Sequence, residues 1–448
     1  MAGINYIYVF ILSCGLLSSA IVPLRILRKS GISSVAMNPL VLFSVYFGVV
    51  HFLTPLVKHL DGYYRYQNTY YDSTLLSVAS LTFLLYHFAV GLKVFSRPLS
   101  GAIGFKNDEY LRLNKLVKLS LAIFAVGALA AWMDFKVVED VVGVQSFISD
   151  RHLAAEERGS GRVLANLMIV GFALYIATNS VRSGFGGNKL LILACMLVGA
   201  FAYYSVISSR NSMLLMMLFG VAVYASSGKG AVKKTGLGTK NLFFLTAAAL
   251  VTIGIVYLFT VQRYGASDSD YAQNRLDKIG LYMLDGAFGN DEALLWMVEH
   301  DYNLLMGKTY LAAFLNVIPR GIWEGKPLGG GPELINMISP GSYVIGQQGN
   351  NSLTTGLLAE AMMNFGILGL FLTVFVWAAI SRHLLKRIVT SNTLPLRILY
   401  VMVAVSFNTA LLYSEFLGFV VRLGIYLLPI ILIHYFRPLW GRRLNHAV

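Results

Sequence analysis

Four ionisable side chains occupy unusual places in an otherwise apolar sequence: Arg210 in SSRNS, Arg263 in VQRYG, Arg320 in IPRGIW and Glu360 in LLAEAMMNFG. A guanidinium stays charged and offers a rigid fork of donors, which suits phosphate. A carboxylate inside a hydrophobic run is expensive to bury and is by default a functional-site candidate. It would serve as a general base toward a hydroxyl, or hold one of the arginines in place. Lys326 follows Arg320 within NVIPRGIWEGKPLGGGPEL (residues 316–334), where prolines, glycines, two cations, two carboxylates and Trp323 crowd together. Such a stretch is neither a membrane helix nor a core. The cations together suit an anionic ligand at headgroup depth, such as a lipid pyrophosphate. Trp323, Trp296 and loop tyrosines such as Tyr264 suit the C–H-rich face of a sugar. Each residue also has a plainer reading. The arginines could anchor helix ends, Glu360 could pair with Arg320 or Lys326, and Glu415 could pair with Arg422. Glu324 could be a solvated loop carboxylate, and the aromatic side chains could simply pack the loop.

Other chemistry finds little support. Asp268-Ser-Asp270 has the form of a metal-binding pair, but stands outside the first outer loop where lipid-dependent glycosyltransferases carry theirs. No two of the eight histidines have zinc-ligand spacing. Cys14 and Cys195 both fall in apolar segments and make no disulfide framework. Neither a metal nor any other cofactor is expected.

The elements that must position these residues follow from composition. Of 448 residues, 56% are hydrophobic and 13% charged, with a mean hydropathy of +0.64. A soluble domain carries about 25% charged residues, so lipid is the main solvent here. Windows long enough to cross roughly 30 Å of hydrocarbon centre on 5–24, 38–57, 74–95, 116–133, 163–181, 189–207, 212–227, 241–260, 353–380, 396–413 and 419–436. The expected fold is an all-α polytopic membrane protein of about eleven spans. Residues 1–260 carry eight of them, 261–352 form a large, partly helical extracytoplasmic loop, and 353–448 carry three spans and the C-terminus. No basic region precedes the first segment and no small-residue cleavage site follows it, so it reads as a retained span.

The net charge of +14 does not point to nucleic acid, because its distribution is one-sided. Alternate connections hold 22 Lys and Arg against two acids, Asp108 and Glu109; the other set holds 13 basic and 18 acidic residues. That is the positive-inside pattern, with the N-terminus outside and the C-terminus in the cytoplasm. Between the spans, 58–73 carries five tyrosines, the composition of an interfacial aromatic belt. The 104–118 stretch reads as an interfacial helix, and 275–306 as two amphipathic helices broken near Gly286–Gly289.

Three stretches, SSRNSMLLMML, LNVIPRGIWEGKP and NSLTTGLLAEAMMNFGILGL, resemble the O-antigen or repeat-unit polymerases of the Wzy type, kin to the O-antigen ligases. The resemblance covers roughly residues 200–370. It implies an enzyme of the bacterial inner membrane that needs no metal or nucleotide. Such an enzyme joins undecaprenyl-pyrophosphate-linked oligosaccharides, as both donor and acceptor, at the periplasmic face. A chain-length regulator and a flippase would be its partners, beside the membrane lipids. By this resemblance Arg210 and Arg263 would stabilise the departing pyrophosphate, with Arg320 and Lys326 in support, and Glu360 would orient or deprotonate the acceptor hydroxyl. Trp323, Tyr264 and Asn351 would contact substrate. The ligase branch has a His-Asn pair where this chain has Asn350-Asn351-Ser352, which favours polymerase over ligase. A ligase or a flippase remains the alternative.

Overall fold

The computed structural model describes residues 5–92, 108–141, 143–149, 159–182, 187–207, 210–227, 278–318, 322–345, 347, 352–391 and 393–436, with single positions at 254, 257, 258 and 261. Helices α1 (Tyr6–Met37), α2 (Pro39–Gly48), α3 (Thr54–Asp61), α4 (Asp72–Gly91) and α5 (Asp108–Val141) come first. The short α6 (Val144–Ser149) and α7 (Gly159–Leu164) lead to α8 (Leu167–Arg182), α9 (Gly187–Val206) and α10 (Arg210–Ser227). Four helices follow at one end of the bundle: α11 (Ile279–Phe288), α12 (Glu292–Glu299), α13 (Lys308–Leu315) and α14 (Gly330–Ile338). The chain closes with α15 (Gly356–Thr390), α16 (Leu394–Tyr413) and α17 (Phe416–Phe436). There is no strand among the described residues. Hydrocarbon offers backbone groups no partner, so an apolar chain satisfies them internally as helix.

Among the described residues nine helices are long and apolar enough to cross a membrane, and Asn211–Ser226 is a shorter apolar one. The expected span at 241–260 lies largely outside the described residues. Burial ranks the helices. About three-quarters of the most apolar window is buried in Pro39–Asp61, Gly161–Val181 and Leu394–Tyr413 (72, 78 and 72%), against 22% in Tyr6–Arg28 and Phe416–Phe436. The first three are the centre of the bundle and the last two face lipid, exposing Ile7, Phe10, Leu428 and Leu432. The start of α5 is continuous with its membrane span, so the 108–118 part of the expected interfacial helix extends that span.

Two departures from regular helix shape the interior. A π-helical turn over Val49–Leu53 joins α2 to α3 and buries His51. In α15, Gly366 has φ 64° and ψ −155°, so the element is a short helix over 356–365 followed by a longer one from Ile367. Residues Gly356–Asn364 are all buried, whereas Ile367 and Leu368 are exposed. The first piece is thus enclosed by protein, and the second runs along the lipid-facing side.

Candidate functional site

The 316–334 stretch and the 352–366 stretch meet. At the N-terminus of α14, the Gly331 N–H donates to Glu415 Oε2 at 2.7 Å. A Cβ built at Gly330 would sit 3.0 Å from Glu360 Oε1, and one at Gly331 would sit 2.5 Å from the Leu353 carbonyl oxygen. The glycines are therefore a close-approach device: only bare backbone fits over the two carboxylates. Glu360 itself is 1% exposed. Its Oε2 accepts from the Phe416 N–H at 2.6 Å, at the first turn of α17, where free N–H groups and the helix dipole favour an anion. Each glutamate thus sits on a helix N-terminus, Glu360 on α17 and Glu415 on α14.

The Glu360 turn is held by polar contacts around the break at Gly366. Asn364 Nδ2 donates to Thr309 Oγ1 at 2.8 Å and to the Glu360 carbonyl at 2.7 Å. Carbonyls released by the break find new donors: Met363 accepts from the Leu305 N–H and Asn364 from the Met306 N–H, both at 3.0 Å. The Met362 carbonyl accepts from Tyr302 Oη at 3.1 Å. Thr309 and Thr355 lie beside the Glu360 carboxyl, yet Glu360 Oε1 and Thr355 Oγ1 are buried without a hydrogen-bond partner. One oxygen of Glu360 is consequently fixed and the other is free to accept. Burial pushes the Glu415 carboxyl up, opposed by the Gly331 N–H and by Arg422. Glu415 and Arg422 feel one another without forming an ion pair, so the expected pairing is not made.

The structure distributes the remaining candidate residues unevenly. Lys326 is buried, and its ammonium donates to the carbonyls of Ile318 (2.9 Å) and Asn316 (3.5 Å), just beyond α13. A cation there complements the negative end of the helix. Trp323 is 42% exposed next to Ile322 at 78%, so an indole face is presented at the surface of this segment. Trp296, by contrast, is buried and stacks on His300, with ring centroids 4.7 Å apart and planes 10° from parallel.

 Arg210 opens α10, and its side chain lies outside the described residues, as do Arg263, Tyr264, Arg320 and Asn351 altogether.

A second polar cluster adjoins this one, and reading the sequence missed it. The 58–73 loop, expected as an aromatic belt, folds onto α12. Glu292 accepts from Lys58 Nζ at 2.7 Å, from the N–H groups of Arg65 (2.8 Å) and Tyr66 (2.6 Å), and from Tyr70 Oη at 3.1 Å. Lys58 also lies 3.2 Å from Asp285 and 3.8 Å from Asp291, and Arg65 pairs with Asp285. Burial works against the Asp285 charge, but Arg65 and Lys58 together hold its carboxyl below the usual range. Asp291, enclosed beside Tyr8, His51 and Thr82, is pushed up to about 6 by burial, although Lys58 opposes the shift. Asn290 links the two clusters by donating to the carbonyls of Leu412 (3.0 Å) and Tyr413 (3.1 Å). The sequence signal was available in the acids of GNDE, but their partners lie more than 200 residues away.

Among the described residues no three His, Cys, Asp or Glu side chains converge on a metal-sized site. No family model, characterised protein or solved structure matches this chain.

Proposed function

We propose that the protein is a membrane glycosyltransferase that polymerises undecaprenyl-pyrophosphate-linked oligosaccharide repeat units into a surface polysaccharide at the periplasmic face of a bacterial inner membrane. The observation that carries the reading is the packing of Gly330 against Glu360. It lays the backbone three residues beyond LNVIPRGIWEGKP against NSLTTGLLAEAMMNFGILGL, two of the three stretches on which the family resemblance rests. In the proposed reaction the acceptor hydroxyl attacks the anomeric carbon of the donor sugar, and the bond from that carbon to the pyrophosphate oxygen breaks. The hydroxyl proton passes to Glu360, whose Oε1 is the oxygen without a partner. Arg210 and Arg263 take up the charge that develops on the departing pyrophosphate. Lys326, held on backbone carbonyls, supports the site by fixing the shape of the segment that presents Trp323. Because Gly330 covers Glu360 with backbone alone, a small displacement of residues 329–331 suffices to admit the hydroxyl.

The test is the polymer profile of a strain lacking this gene, complemented with wild type, Glu360→Gln or Arg210→Ala, with membrane levels checked by immunoblot. We expect single repeats in the deletion strain, a ladder with wild type and none with either variant. Loss of a general base lowers a rate by about 10²–10⁴-fold, enough to abolish a ladder. Lipid A core without any repeat would point to a ligase or flippase instead, and an unchanged ladder would overturn the reading.

A further inference from the structure

At the other end of the bundle stands a buried cation with no anion beside it among the described residues. Asn290 binds the last carbonyls of α16, and Asp291 lies beside Lys58 near the end of α3. The N-termini of α2 and α16 therefore lie together at the end away from Glu360. Arg397 is in the first turn of α16 and is 6% exposed. Its Nε is enclosed without an acceptor, and no carboxylate among the described residues pairs with its guanidinium. Four residues earlier, the N-cap Thr393 has a buried hydroxyl that is also without a partner.

Helical side chains lean toward the N-terminus, which directs Arg397 back toward Thr393 and the first turn, where Leu394 and Leu396 supply N–H groups and Pro395 has none. No acid is close in sequence. Between Glu360 and Glu415 the chain has none, while Arg382, Lys386 and Arg387 precede Arg397 on α15. A buried donor lacking a partner is costly, and a fork of N–H donors at a helix N-terminus is the arrangement that binds phosphate.

We propose that Arg397, the Thr393 hydroxyl and the first turn of α16 form a binding site for a phosphate group, supplied by an anionic phospholipid headgroup or by free phosphate. The inference stands independently of the glycosyltransferase reading. In the lipid case the headgroup seats against the end of α16 and neutralises Arg397.

The experiment is thermal unfolding of the full-length protein in neutral detergent, titrated separately with dioleoylphosphatidylglycerol, with dioleoylglycerol and with inorganic phosphate. A rise in Tm with phosphatidylglycerol alone identifies a lipid headgroup, and a rise with inorganic phosphate identifies a free-phosphate site. Arg397→Gln should melt no lower than wild type without additive, since it removes an uncompensated charge, and should lose the rise. Arg397→Lys and Thr393→Val should each weaken the apparent affinity by about tenfold. These two variants decide the matter should Arg397→Gln fail to fold. No rise in wild type, an equal rise with dioleoylglycerol, or an undiminished rise in the variants would overturn the proposal.

Discussion

At the scale of single residues, buried carboxylates differ according to what else is buried with them. Asp285 has two cations against it, whereas Asp291 has Lys58 at 3.8 Å and two neighbouring acids. Their contributions to stability therefore respond to pH with opposite sign. Asp285 has a lowered folded value, so its contribution is present above the unfolded value of 3.8 and lost as pH falls below it. Asp291 is raised from 3.8 to about 6, so the folded protein holds that proton more tightly. Its contribution is full below about pH 4 and is lost as pH rises to about 6, up to about 3 kcal/mol. We predict that Asp291→Asn flattens the fall in Tm between pH 4 and 6. A variant whose Tm follows the wild-type curve throughout that window would show that Asp291 is not desolvated as described.

At the scale of elements, the break at Gly366 separates two jobs that one straight helix could not combine. The piece before it holds Glu360 in a protein-enclosed site, and the piece after it runs along lipid. With φ 64° and ψ −155°, Gly366 occupies a region essentially closed to residues with a Cβ. Strain of that kind costs about 1–3 kcal/mol. Gly366→Ala should lower stability by that amount and lower activity further, because the Met363 and Asn364 carbonyls would shift from Leu305 and Met306. Unfolding measurements on the purified variant check the first part. An unchanged Tm would mean the break does not depend on glycine.

At the scale of the whole molecule, charge predicts how the bundle stands in its membrane. The connections rich in Lys and Arg should face the cytoplasm, and residues 278–345 the opposite side. In a background with Cys14 and Cys195 replaced by Ser, Asp301→Cys should react with an impermeant maleimide in intact spheroplasts. Lys386→Cys should react only after permeabilisation. The reverse labelling pattern would refute this orientation.

What could be read from the sequence alone was local in origin. Long apolar runs specify membrane helices because each run satisfies its own backbone, whatever surrounds it. The break in the 275–306 stretch is legible in the same way, from the glycines at 286 and 289, of which Gly289 ends the helix. Glu360 stood out because a carboxylate in an apolar run is costly wherever the run ends up. The partners of these residues were decided only by the tertiary structure. The bond from Phe416 to Glu360 spans 56 residues and that from Lys58 to Glu292 spans 234. A hydrogen bond or ion pair across such a separation depends on how helices pack, and no local pattern of residue types encodes it. That is why the carbonyl contacts of Lys326 could not be foreseen, and why the tyrosine-rich 58–73 loop was read as a belt and is found donating to Glu292 at the start of α12.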